Sequence, residues 1–267
     1  MSFGGLGFAF PLRHDEGFVQ ANFPFPAWPD LSPPSAFMSL LAEVFPGAWC
    51  QVSLLPLAKD EPPPIAAADF LRPDELGRWQ SFTSDKRKRE WLGGRLCAYD
   101  CARRLTAQSE EPFQTRNWWL AADENGRPCW QGNVPPALRD MDISLSHGGA
   151  YALALVAPGC AGVDVEACRG KVERVAAQFC HQEEEDSLTR LMPEQDRLVR
   201  LTLLWAAKES LRKAATGLPG FLAMSLSGGY SMKAGWRLTL AWKAGCQATV
   251  AAMPHDGHAF AFCLLEK

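Results

Sequence analysis

One pair of motifs constrains this chain more than any other feature: Gly162-Val163-Asp164-Val165-Glu166, and downstream Trp205-Ala206-Ala207-Lys208-Glu209-Ser210-Leu211-Arg212-Lys213. The first has the pattern of a short strand. Side chains alternate across a strand, so Asp164 and Glu166 share one face and Val163 and Val165 the other. The second has the pattern of a helix, on which Trp205, Glu209 and Lys213 recur every four residues and share one side. Packed together, the two elements bring three carboxylates and one ammonium onto a common surface. Hard oxygen ligands of this kind suit Mg²⁺, which usually takes one or two carboxylates plus substrate phosphates. The expected chemistry is of the phosphoryl type, on a diphosphate substrate.

With 267 residues the chain can form one large domain or two smaller ones, and 47% hydrophobic residues are ample for a core. The net charge of −3 lacks the basic excess of a nucleic-acid binder. Charge is instead local, with a basic run at Lys86, Arg87, Lys88 and Arg89 and an acidic run at Glu183, Glu184, Glu185 and Asp186. The nine cysteines are scattered, with neither a C-x-x-C pair nor zinc-ligand spacing, which fits a reducing, cytoplasmic compartment. No basic segment precedes Phe8 and Phe10, and no apolar run reaches membrane-spanning length, so neither a signal peptide nor a membrane partner is expected.

Along the chain, Pro24, Pro26, Pro29, Pro33 and Pro34 exclude a regular helix near the start, and an extended arm is expected over 1–46. A first strand is expected over 48–56. A mainly helical stretch follows over 71–105, breaking near Ser84 and Asp85, with Asp85 as N-cap. Residues 118–122 form a strand, Asp123 to Gly126 a turn, and a Pro-rich loop runs on through Pro135 and Pro136. Residues 143–156 read as strand, Gly-Gly turn, strand. After the Asp164/Glu166 strand come helices over 172–179, from the acidic run, and over 196–216, then four strands from Ser225 to Glu266. The fold class is α+β. Two halves of similar order meet near residue 160, giving an N-terminal half over 47–160 and a C-terminal half over 161–267.

The paired motif resembles the signature of the 4′-phosphopantetheinyl transferases, of the surfactin/enterobactin-synthase type. Ser144-Leu145-Ser146-His147 and Gly126-Arg127-Pro128 extend the resemblance upstream. So does the basic helix from Lys86 through Trp91-Leu92-Gly93-Gly94-Arg95-Leu96, and Gly217-Leu218-Pro219-Gly220-Phe221 extends it downstream. The resemblance implies two similar α+β halves, related by a pseudo-twofold axis and monomeric, with coenzyme A between them. It implies Mg²⁺-dependent transfer of phosphopantetheine to a serine of an apo acyl or peptidyl carrier protein. The branch tilts toward siderophore and other secondary-metabolite assembly.

Asp164 and Glu166 are the expected metal ligands, because a cation neutralises and orients an anionic diphosphate under attack. Two exposed acids on an edge strand are the plainer reading. Glu209 matches the family's third carboxylate and is placed to take the serine proton. Alone on a helix it would instead pair with Lys213, for about 0.2–0.5 kcal/mol. Lys213 is expected to stabilise charge on the leaving group. Lys208, roughly 100° round the helix from Glu209, is open to phosphate contact or to packing. By resemblance Ser146 and His147 face the nucleotide end of coenzyme A, Arg127 contacts the diphosphate or 3′-phosphate, and Arg87 and Arg95 are candidates for the 3′-phosphate. The carrier is expected to dock on 167–200, with Lys171, Arg174 and Phe179 toward it and the acidic run facing away. Two other classes fit fewer motifs: a Mg²⁺-dependent phosphotransferase or nuclease using the same carboxylates, and a non-catalytic coenzyme A binding protein.

Overall fold

Two long helices each lie across one antiparallel sheet, and the two sheets face each other. The structure is a computed structural model and describes residues 28–59, 63–107, 117–215 and 217–266. The expected arm lies outside the described residues up to residue 27. In chain order the elements are α1 (Ser35–Val44), β1 (Gln51–Pro56), α2 (Ala67–Phe70), α3 (Pro73–Gln80), α4 (Asp85–Thr106), β2 (Trp118–Ala122), β3 (Pro128–Gly132), β4 (Met141–Gly148) and β5 (Tyr151–Pro158). There follow β6 (Cys160–Ala167), α5 (Lys171–Arg174), α6 (Gln182–Leu191), α7 (Arg197–Ala214), β7 (Ser225–Met232), β8 (Gly235–Lys243), β9 (Cys246–His255) and β10 (His258–Leu265). The class is α+β, as the sequence predicts, with sheets ordered β1-β5-β4, β6-β10-β9-β8-β7 and β2-β3.

The two larger sheets repeat one plan. The first strand of each half pairs with the last (β1 with β5, β6 with β10), and one long helix crosses the sheet, α4 in the first half and α7 in the second. Strand alternation decides what each helix meets. Toward α4, β5 turns Ala152, Ala154 and Val156; toward the centre it turns Leu153 and Leu155. Under α7, β10 places Ala259, Ala261 and Cys263; to the centre it gives Phe260 and Phe262. Small residues let the helices lie close, and bulky ones fill the core between the sheets. There Phe37 of α1 packs on Phe260 and Phe262, with ring centroids 4.8 and 5.7 Å apart.

Three local expectations are corrected. The arm over 1–46 is helical over Ser35–Val44, because no proline falls between Pro34 and Pro46 and Phe37, Leu40, Leu41 and Val44 recur there at helical spacing and bury. The Pro-rich loop contains β3, which pairs with β2 because Pro128 occupies its first position, where a missing N–H is tolerated. The cap of α4 is Ser84, not Asp85: its Oγ accepts from the Arg87 backbone N–H at 3.4 Å.

The seam between the halves is unusual. Strands β4 and β6 lie side by side but belong to different sheets. In place of a backbone ladder, alternate β4 side chains accept from alternate β6 backbone N–H groups. Asp142 takes Ala161 at 2.7 Å, Ser144 takes Val163 at 3.0 Å and Ser146 takes Val165 at 3.1 Å. The buried polar groups of an edge strand are thereby satisfied.

Helix α7 is drawn onto β6 by a glycine. A Cβ at Gly162 would stand 1.9 Å from the Ser210 carbonyl oxygen and 2.7 Å from the Ala214 nitrogen. Gly162→Ala therefore forces strand and helix apart and should cost about 3 kcal/mol, the upper end of ordinary overpacking. Urea unfolding reads this as a lower midpoint; an unchanged midpoint would show that the two backbones are not in contact.

Candidate active site

The close approach of β6 and α7 builds a groove. Asp196 opens α7 by accepting from the Val199 N–H at 2.8 Å. Leu201, Leu204, Ala207 and Leu211 go to the core, and Trp205, Glu209 and Lys213 are left along the opposite edge. On β6, Val163 and Val165 enter the central core, which leaves Asp164 and Glu166 facing the helix side. These residues, with Leu145, Ser146 and His147 of β4, line a groove of about 380 Å³.

Asp164 is the best-held of the acids. Its Oδ1 accepts from Ser146 Oγ at 2.8 Å and from Lys213 Nζ at 2.8 Å, and the same ammonium donates to the Val163 carbonyl at 3.0 Å. Burial, and then the neighbouring Asp164, push the Glu166 and Glu209 carboxyls above the usual range. At Glu209, Arg212 (3.7 Å away) and Lys213 oppose that rise. A divalent cation would favour the charged forms of Glu166 and Glu209, and hard carboxylate oxygens suit Mg²⁺. Among the described residues no three such side chains stand at coordination spacing as a ready-made cage.

His147 stands at the mouth of the groove, its Nδ1 3.5 Å from Glu90, which is also 3.5 Å from Lys86. Burial lowers the His147 pKa; Glu90 opposes this, and the nearby charges of Lys213, Arg87 and Lys86 add to it. The exposed Arg87 therefore belongs to the same electropositive corner. Arg95 lies farther along, 3.4 Å over the Trp91 ring and 2.9 Å from Glu75. It lines a second cavity of about 390 Å³ that shares Leu145 with the groove and includes Arg78 and Trp119. The Ser146 hydroxyl is engaged twice, donating to Asp164 and accepting from Val165, so it orients the acid.

One expected cofactor contact is corrected, and a second residue expected there is held by protein groups. Lys208 is fully buried: its ammonium meets both Glu184 oxygens at 2.9 and 3.0 Å, and the carbonyls of Phe179 at 2.6 Å and Phe221 at 3.2 Å. One helical step from Glu209 turns it into the core, so it serves packing. Arg127 is bound to protein through all three guanidinium nitrogens. Its Nε donates to Asp142 at 3.1 Å, Nη2 to Asp142 and to the Ala161 carbonyl at 2.7 Å, and Nη1 to the Lys213 carbonyl. In the docking region Phe179 is core rather than surface, and Glu184 turns inward out of the acidic run. The sequence reading missed Glu90, Arg212 and Asp142. The alternation Asp142-Ile143-Ser144-Leu145-Ser146 did carry a signal, since polar residues at every second position of a largely buried strand need partners.

Residues 161–227 match the family model of the 4′-phosphopantetheinyl transferase superfamily (ACPS). The matched stretch runs from β6 through α7 into β7 and so contains Asp164, Glu166, Glu209 and Lys213. It covers about a quarter of the chain and supports phosphopantetheinyl transfer in general. No curated protein matches the chain. Among the described residues, no helix is long and apolar enough to cross a membrane.

Proposed function

We propose that this chain moves the 4′-phosphopantetheine arm of coenzyme A onto a serine of an apo acyl or peptidyl carrier protein, releasing adenosine 3′,5′-bisphosphate. It would act as a Mg²⁺-dependent enzyme of the surfactin/enterobactin-synthase type. The observation that carries this reading is a single groove lined by Asp164, Glu166, Glu209 and Lys213, inside the stretch that matches the transferase family. The repeated strand-helix-strand plan supports halves at 47–160 and 161–267, related by a pseudo-twofold axis within a cytoplasmic monomer.

Asp164, Glu166 and Glu209 would hold Mg²⁺, which when bound neutralises and aligns the diphosphate of coenzyme A. Glu209 accepts the proton of the carrier serine. The serine oxygen forms a bond to the phosphorus that carries pantetheine, and the bond from that phosphorus to the bridging oxygen breaks. The electron pair leaves on the bisphosphate, where Lys213 neutralises it. Ser146 keeps Asp164 in place. Lys86 and Arg87 form the cationic corner for the 3′-phosphate, with the His147 imidazole beside them as a hydrogen-bonding group, and Arg95 lies beside the cavity beyond Leu145.

A carrier that is acidic around its serine would meet the exposed cations Lys171 and Arg174 and the exposed Leu222. Leu222 follows Phe221, whose ring packs 4.9 Å from Trp205 of the groove. Leu222→Asp should raise the KM for the carrier about tenfold, the scale of one good interface side chain. The KM for coenzyme A should not change. Equal effects on both substrates would count against docking there.

The test of the reading itself is direct. The purified protein is incubated with coenzyme A, Mg²⁺ and apo carrier domains from peptide, polyketide and fatty-acid assembly, and the carriers are weighed. A gain of one phosphopantetheine that depends on Mg²⁺ is expected. No gain on any carrier would sink it.

A further inference from the structure

Arg127 has a charge that suits a phosphate, yet all three of its guanidinium nitrogens are already engaged by protein acceptors. The turn before it is closed by local bonds: Asp123 Oδ1 accepts from the backbone N–H of Asn125 at 2.9 Å and of Arg127 at 2.8 Å. Gly126 takes the left-handed φ of 81° that this turn needs. The guanidinium is thereby aimed at the seam between the halves. There it grips the Asp142 carboxylate in a two-pronged pair and reaches the Ala161 carbonyl of β6 and the Lys213 carbonyl in the last turn of α7. Asp142 in turn accepts from the Ala161 N–H at 2.7 Å. The carbonyls of a final helical turn have no partner within the helix and carry partial negative charge, so a cation is a natural cap for them.

The consequence falls on Lys213. Its carbonyl is held by Arg127 and its ammonium by Val163 and Asp164, so one residue of the groove is fixed at both ends. We propose that Arg127 is a positioning residue: with Asp142 it clamps the last turn of α7 to the β4–β6 seam and so sets where Lys213 and Asp164 stand in the groove. The phosphates of the donor are met by other cations. The kinetic part of this proposal rests on the transferase reading above; the structural part does not.

Two readouts separate those parts. Hydrogen exchange of the full chain needs no activity. Backbone amides at 211–215 should exchange faster in Arg127→Ala and in Asp142→Asn alike, while those at 197–204 stay as in the unaltered protein. Unchanged exchange at 211–215 would overturn the clamp.

In the transfer assay, Arg127→Lys and Asp142→Asn are the milder variants, should Arg127→Ala fold poorly. Each should lower kcat by up to about 100-fold, the scale of a small misplacement transmitted to reacting groups. Each should keep the KM for coenzyme A within twofold and the preference for coenzyme A over 3′-dephospho-coenzyme A unchanged. The lysine variant should not rescue, because an ammonium on a flexible stem is a compact point charge and cannot reproduce the rigid planar fork that pairs with Asp142 while reaching the Ala161 and Lys213 carbonyls. A rise in KM confined to coenzyme A, with kcat intact and Asp142→Asn silent, would overturn the proposal and return Arg127 to the phosphate. If the unaltered protein modifies no carrier, the transferase reading fails, and the exchange experiment still decides the clamp.

Discussion

Glu209→Gln should leave the protein folded and cut transfer to the carrier by about a thousandfold, within the usual range for loss of a positioned general base. The substitution preserves shape and removes only the ability to take a proton and to hold a cation as an anion. Glu209 is part-buried, and it loses only a 3.7 Å pairing with Arg212, so the unfolding midpoint should barely move. The loss should appear in kcat, because the proton leaves the serine during the chemical step. A variant that retains more than a tenth of the rate would remove Glu209 from the proton path and leave it as a surface acid.

Lys208→Ala should do the opposite: large damage to stability and little to recognition. Its ammonium and the Glu184 carboxylate are both almost fully buried, at 0% and 3% side-chain exposure. Glu184 also accepts from the backbone of His181 at 3.0 Å and of Leu226 at 2.7 Å. The pair therefore ties α6, α7 and the start of β7 into one knot. Removing the lysine leaves an uncompensated interior carboxylate and two orphaned carbonyls, which typically costs about 3–5 kcal/mol. The double variant Lys208→Met with Glu184→Gln should recover much of that, since no charge is then left unpaired. Urea unfolding measures both effects. The KM for coenzyme A in the folded fraction should stay within twofold. A Lys208 that touched phosphate would behave differently, weakening coenzyme A binding at unchanged stability.

The contrast between Lys208 and Lys213 marks what the sequence could convey. Helical spacing puts Trp205, Glu209 and Lys213 on one side, and strand alternation puts Asp164 and Glu166 on one face; both are local periodicities, and the groove has them together. The same periodicity turns Lys208 away from Glu209, but it cannot say whether the new direction is solvent, phosphate or core. That depends on Glu184, far off in the chain. A clue existed: Glu184 and Leu188 are four apart on α6, so the acid shares the helix's inward face with a core residue. Arg127 was less legible still. Its acceptors include main-chain carbonyls of Ala161 and Lys213, which every residue possesses and no motif announces. In the fold, α1 was hidden by the proline-rich start, and β3 by a proline that a strand tolerates at its first position.

The central claim is that Asp164, Glu166 and Glu209 hold one divalent cation against the diphosphate of bound coenzyme A. Titration calorimetry of Mg²⁺ into the protein saturated with coenzyme A tests it most directly, with Asp164→Asn/Glu166→Gln as the comparison. One site per chain is expected in the unaltered protein, with heat beyond that of coenzyme A alone, and none in the variant. Equal binding by both proteins, or by neither, would contradict it.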